Sequence, residues 1–138
     1  MEIVQEHVRI VVQNLNREIL LMRRSAFNKR AVGLWELPGG KTDGKAPYSA
    51  AMRELREETA IKVDQLELIG DVTESIEESL IFHTAVYYVA PKKYAVKLSP
   101  EHDQWQWFSL YNLHQNMLVK NSEKIVQEIV LPKLTDED

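Results

Sequence analysis

The 138-residue chain has no cysteine. Disulfides, thiolate catalysis and cysteine-based zinc or iron–sulfur sites are thereby excluded, and a cytoplasmic location suits the composition. A surplus of positive charge is also missing: 17 Lys and Arg against 21 Asp and Glu leave a net charge of −4. Such a field attracts neither a nucleic acid polymer nor an anionic membrane. A phosphate-bearing ligand then needs a local basic site or metal ions. No apolar run approaches the ~20 residues of a spanning helix. The opening MEIVQEHVRIVV is too acidic, and its apolar core too short, for a signal peptide or an anchor. Repeats, low-complexity segments and linkers are absent, which leaves one expected domain, residues 1–138, able to bury a core unaided. Its 44% hydrophobic and 28% charged residues are ordinary for a soluble globular protein.

Chemistry must therefore come from oxygen and nitrogen side chains, and one stretch concentrates them. From Gly39 to Ile61 the chain reads GGKTDGKAPYSAAMRELREETAI. Its centre, Arg53-Glu54-Leu55-Arg56-Glu57-Glu58, sets three carboxylates within five residues of a predicted helix. At about 100° per residue, Glu54 is an i,i+3 neighbour of Glu57 and an i,i+4 neighbour of Glu58, so the three crowd one face. Each like-charged pair costs a bare helix roughly a few tenths of a kcal/mol. A hard divalent cation held by oxygen ligands would offset that repulsion. Upstream, Pro38-Gly39-Gly40 and Gly44 form a turn-prone loop whose backbone can approach a ligand closely. The plain alternative is a solvated acidic face, with Arg53 and Arg56 as ordinary ion-pair partners.

The remaining elements follow from pattern. His7 to Gln13 and Glu18 to Arg24 read as strands joined by an Asn14-Leu15-Asn16 turn, and Trp35 to Leu37 as a short strand. The helix is predicted from Pro47, a good first-turn residue after the poor cap Ala46, to about Thr59. Val63 to Val72 and Ser79 to Val89 are further strands, Trp105 to Phe108 a short one, and Leu110 to Gln115 a helical turn. Ile125, Val126, Ile129 and Val130 mark an amphipathic helix over Ser122 to Leu131, before a frayed tail from Thr135 to Asp138. Strands, helix, strands, helix is the order of an α+β or α/β domain.

The central stretch resembles the signature of the Nudix (MutT-like) hydrolases, G-x5-E-x7-R-E-U-x-E-E-x-G-U with U apolar. Arg53 to Glu58 match its inner part and Ile61 its final apolar position. Leu34-Trp35-Glu36-Leu37-Pro38-Gly39-Gly40-Lys41 is typical of the family, as is Ser99-x-Glu101-His102 followed by Trp107 and Leu113. The resemblance covers nearly the whole chain and implies an α+β fold, an α/β/α sandwich with a mixed β-sheet flanked by helices. Some positions depart from the signature. Lys45 stands eight residues before Arg53, where the signature has Glu. Alignment on Gly40 instead leaves the loop one residue short, with Ala46 near that position. Ala60 replaces the last Gly. Weakened support for Arg53, or a substitute such as Asp43, is the expectation, with the metal site retained.

The activity implied is Mg²⁺-dependent hydrolysis, with Mn²⁺ as a substitute, of a phosphoanhydride in a nucleoside diphosphate derivative. The first expectation is a (deoxy)nucleoside triphosphate cleaved to monophosphate and pyrophosphate. Hydrolysis of ADP-ribose or another such derivative, and a non-catalytic nucleotide sensor, are the alternatives. By resemblance Glu57 and Glu58 are metal ligands, Glu54 is a third ligand or a water-orienting base, and a carbonyl of Gly39 or Gly40 completes the set. Arg53 orients a Glu, Arg56 is a surface charge, and Glu101 is a further ligand or general base, with His102 and Asp103 as weaker candidates. For substrate binding the candidates are Arg24, with Arg23, Lys29 and Arg30 as competitors, the Gly39-Gly40 backbone, and a stacking ring from Phe82, Tyr87 or Trp35. The implied partner is a small nucleotide, and family habit allows a homodimer.

Overall fold

The computed structural model describes residues 1–135, so the end of the expected frayed tail lies outside the described residues. Among the described residues the elements follow in the order β1 (Ile3–Val12), β2 (Ile19–Arg24), β3 (Trp35–Glu36), β4 (Gly39–Lys41), α1 (Pro47–Thr59), β5 (Glu67–Glu77), β6 (Leu80–Val89) and β7 (His102–Phe108), then two short 3-10 turns, Leu110–Asn112 and Gln115–Met117. A C-terminal helix closes the fold as α2 (Lys120–Ile125), a π segment (Val126–Val130) and α3 (Leu131–Leu134). Pro132 explains the π segment. It has no N–H to give to residue 128, and the Leu131 N–H reaches back to the Val126 carbonyl instead. None of these helices is long and apolar enough to cross a membrane.

The expected α+β sandwich is present, with its strands divided between two sheets. One is mixed, in the order β4-β1-β6-β5, with β1 parallel to β6; the other is antiparallel, β3-β2-β7. Alternation along β1 divides the interior. Val8, Ile10 and Val12 pack with Ala50, Ala51 and Leu55 of α1. Val11, from the opposite face, joins Ile125, Val126, Ile129 and Val130 of the C-terminal helix. Each fully buried Leu, Ile or Val contributes about 1.5–3 kcal/mol.

The bounds of α1 match the sequence expectation, and Ala46 caps it without a side-chain hydrogen bond. Other elements shift. β1 starts four residues early because its exposed end still pairs with β6 from Ile3 opposite Leu80. β5 begins at Glu67 instead of Val63 and runs through acidic residues, as suits an edge strand bonded only to β6. Gly39 to Lys41, expected as loop, pairs antiparallel with β1. Ala60 has φ 66° and sends its N–H to the Arg56 carbonyl, so the helix ends in a left-handed residue at a position where alanine is strained.

Candidate active site

Strand β4 delivers the backbone directly to the acidic face of α1. A Cβ on Gly39 would lie 2.1 Å from the Val8 carbonyl oxygen, so only glycine fits there. With Gly39 as the signature's first glycine, residues 40–44 give the loop its full five residues and Lys45 falls at the Glu position. The apparent one-residue shortening came from alignment on Gly40. A Cβ on Gly40 would stand 3.3 Å from the Glu54 carboxylate, so the close approach expected of this loop is to the acidic cluster itself.

Two adjoining hollows meet at that cluster. One, of about 330 Å³, is lined by Glu54, Glu57 and Glu58 of α1 together with Phe27, Ser99, Pro100 and Glu101. The other, of about 340 Å³, shares Glu54, Glu58 and Glu101 and adds the cations Arg9 and Arg24 beside Glu36, Gly39 and Gly40. The fold thus brings together Glu54, Glu57, Glu58, Glu101, Arg24, Gly39 and Gly40.

Each carboxylate has a distinct setting. Glu58 is buried and accepts the Gly39 N–H at 2.9 Å. Burial pushes its pKa well above the ordinary value; the Gly39 hydrogen bond and Arg9 oppose this, while Glu54 and Glu36 add to it. Glu54 is raised too, first by burial, against the opposing effect of Arg53, with Glu57 and Glu101 adding repulsion. Arg53 bonds Glu54 at 2.9 Å, reaches Glu57 at 3.8 Å and touches the Lys41 carbonyl at 3.4 Å. Its support is therefore local, with Asp43 acting only through its charge and no role for Lys45. Glu57 is exposed. Glu101 is exposed as well, but its carbonyl is pinned by the Ser25 N–H and the Asn28 side chain.

Opposite the acids lies a network that sequence reasoning missed. Glu36, 5% exposed, is 3.1 Å from Arg24, 3.5 Å from Arg9 and 2.7 Å from His102 Nε2. Burial pushes its carboxyl up, but the Arg9 charge, the His102 hydrogen bond and Arg24 outweigh it and hold the pKa at about 2. Arg9 also donates to the Leu37 carbonyl and to Asn121 Oδ1, and Asn121 in turn donates to Glu74 and Thr84. The sequence marked Glu36 only as part of a typical run; nothing in it singled out Arg9. His102 proves buried where a loop position was expected, because β7 starts there.

Comparison with known proteins agrees with this geometry. The NUDIX domain matches residues 4–129. The chain belongs to that family. Among curated relatives it is 29% identical over 136 residues to a bis(5'-nucleosyl)-tetraphosphatase [asymmetrical] of Mus musculus, covering 91% of this chain and 87% of the relative. It is 27% identical to the 8-oxo-dGTP diphosphatase of Escherichia coli K12, covering 86% and 91%. The solved MutT protein of Methanosarcina mazei Go1 superposes with a TM-score of 0.72 at 28% identity, over 91% of this chain and 92% of that one. The protein is thus a MutT-like Nudix hydrolase, and the family generally uses divalent metal ions.

Several candidates lie away from the Nudix cleft. Phe82 lines neither hollow and stacks on His7 with ring centroids 4.3 Å apart. Tyr87 is core beside Tyr48, and Trp35 packs edge-on to Phe108. Strand periodicity turns these three rings elsewhere, whereas Phe27, 71% exposed on a loop, stands at the cleft. Arg23 pairs with Asp103 at 2.8 Å on the surface. Lys29 and Arg30 are exposed and line neither hollow.

The donor set suits a hard divalent cation: carboxylates and backbone oxygens, two of the acids partly desolvated and mutually repelling. Among the described residues no three such side chains yet close on one point, since Glu54 turns to Arg53 and Glu58 to Gly39. Both interactions use one carboxylate oxygen of each.

Proposed function

We propose that this Nudix protein is a Mg²⁺-dependent pyrophosphohydrolase of small nucleotides, cleaving a (deoxy)nucleoside triphosphate to the monophosphate and pyrophosphate. One observation carries the reading: Glu54, Glu57, Glu58 and Glu101 share two adjoining hollows with Arg9 and Arg24. A tetra-anionic substrate fits neither wall alone. Arginines suit phosphate oxygens, and the acids need a metal before they can face phosphate at all.

Glu54, Glu57 and Glu58, with the Gly39 carbonyl, would hold the ion. Bound there, it neutralises phosphate charge and acidifies water. The chain's own residues do the rest. Arg24 and Arg9 hold phosphate oxygens and set the anhydride against α1. The Gly39 N–H orients Glu58, and Arg53 orients Glu54. Glu101 takes the proton from water as its oxygen bonds to phosphorus, and the bridging P–O bond breaks to release pyrophosphate. Phe27, at the mouth, gives the nucleobase an apolar face.

Assay of the purified protein with Mg²⁺ against dNTPs, 8-oxo-dGTP, a bis(5'-nucleosyl) tetraphosphate and ADP-ribose tests this. Release of pyrophosphate from a triphosphate is expected. Turnover confined to the tetraphosphate or ADP-ribose would move the substrate to another nucleoside diphosphate derivative. Absence of all turnover with retained nucleotide binding would favour the sensor, a reading for which Lys45 and Ala60 speak and the intact acid cluster does not.

A further inference from the structure

Glu36 lines the second hollow and contacts both of its arginines, and His102, which lines neither hollow, bonds to it. Glu36 is a charged carboxylate 5% exposed, and the His102 side chain is 1% exposed. An apolar group of similar volume would serve stability equally well at such a depth. Their placement suggests another role. Glu36 lies on β3, and its three partners come from β1, β2 and the first residue of β7. Two of those partners, Arg9 and Arg24, line the cleft. The third directly follows Glu101, which lines both hollows as Glu54 and Glu58 do.

The turn carrying Glu101 is built around the same contact. The His102 N–H bonds the Ser99 carbonyl at 3.2 Å, Ser25 Oγ donates to the Pro100 carbonyl at 2.6 Å, and Asn28 holds the Glu101 carbonyl at 2.7 Å. Since Glu36 is ionised, His102 Nε2 must donate to it. His102 Nδ1 is buried without a hydrogen-bond partner among the protein atoms of the described residues, and Ser99 Oγ in the same turn is likewise unpartnered.

We propose that Glu36 is a positioning residue that couples the two halves of the cleft. It sets Arg9 and Arg24 on the phosphate side and, through His102, fixes the backbone from which Glu101 reaches the attacking water. The inference rests on the pyrophosphohydrolase reading and deepens it. The buried pair makes arginine placement and base placement interdependent.

A double-mutant cycle with Glu101→Gln tests it. Steady-state kcat and KM are measured for wild type, His102→Ala, Glu101→Gln and the double variant, with thermal unfolding as a fold check. His102→Ala should lower kcat by about 10–100-fold, the range found for orienting partners of site residues, with KM within about twofold of wild type. In the Glu101→Gln background the same change should cost less than about twofold, because the misplaced group is already absent. His102→Gln, which restores an N–H towards Glu36, should recover part of the loss. Losses that multiply in the double variant, or that track only the unfolded fraction, overturn the His102 role. Separately, calorimetry with a non-hydrolysable dNTP and Mg²⁺ should show Glu36→Gln binding about 10-fold more weakly and His102→Ala unchanged. Unaltered affinity in Glu36→Gln overturns the arginine role even if no substrate is turned over. By contrast, wild-type turnover in Glu101→Gln, or an inert wild type, faults the proposed chemistry, while the calorimetric comparison still decides the role of Glu36.

Discussion

The two walls of the cleft are built in opposite ways. The acidic wall is one helix face, three glutamates within five residues, and it carries more negative charge than its surroundings neutralise. Burial raises Glu58 and Glu54, and their neighbours add repulsion. The facing wall comes from four strands in two sheets, Arg9, Arg24, Glu36 and His102, and its one acid is so well compensated that it is held at about 2. On one wall Arg53 offsets only part of the acidic charge; the other has guanidinium charge to offer an anion. The difference teaches that a carboxylate cluster can be written in a local repeat, whereas arginines gathered around one buried acid need strand register.

The comparison is broken most severely at the acidic wall. Glu58→Gln keeps the shape and removes the charge, and should reduce kcat by about 10³-fold, several kcal/mol of transition-state stabilisation. Steady-state kinetics with Mg²⁺ on a variant that still melts cooperatively checks this, and EDTA should abolish wild-type turnover until Mg²⁺ is restored. Next comes the support beneath that wall. Leu55 is 1% exposed under α1, so Leu55→Ala should destabilise by about 2–5 kcal/mol in urea unfolding while kcat well below the melting temperature changes little.

The field around the basic wall can be sharpened through His7, which neighbours it on β1. Burial, then Arg9 and Lys41, lower its pKa to about 4, against a small opposing pull from Glu6. Because the unfolded chain takes up that proton near pH 6.5, the stability at stake is complete above about 6.5 and is lost as pH falls towards 4. The loss reaches about 2–3 kcal/mol. Urea midpoints at pH 7 and pH 4.5 should converge in His7→Gln relative to wild type. His83 shifts the other way, raised by its hydrogen bonds to Glu6 and Asp71, so its contribution is present below about 6.5 and fades as pH rises through its raised pKa. NMR titration of the two rings should show displacements of opposite sign.

Smaller effects follow. Arg24→Ala should raise KM by about 10-fold with a lesser change in kcat, since phosphate gripping is shared with Arg9. Ala60→Gly should stabilise the fold by about 1 kcal/mol by relieving the left-handed alanine, read as a higher melting temperature.

Much of the acidic wall was legible in the sequence. A helix repeats every 3.6 residues, so Glu54, Glu57 and Glu58 share a face whatever surrounds them, and Pro47 and the turn after Thr59 bound it. Glu101 was singled out by resemblance and Arg24 by its place at the end of a strand before the glycine loop, and the fold brings both to the cleft. Phe82 shows where such reading stops: strand alternation says that it faces one side, and only β1 decides that the side holds His7. Arg9 looked like one charge in an apolar strand, and His102 like a loop residue, because each gains meaning only from Glu36.

By itself the sequence determined the acidic platform, the glycine lead-in, a cysteine-free interior and an α+β fold, since composition and helical period act over a few residues. Tertiary structure alone decided that Arg9, Arg24, Glu36 and His102 meet, and that Phe27 stands at the cleft where Phe82 was expected. Those residues are up to 93 positions apart in the chain, from 9 to 102, and are brought within a few ångströms by pairing between strands distant in sequence, which the pattern within any one strand does not name.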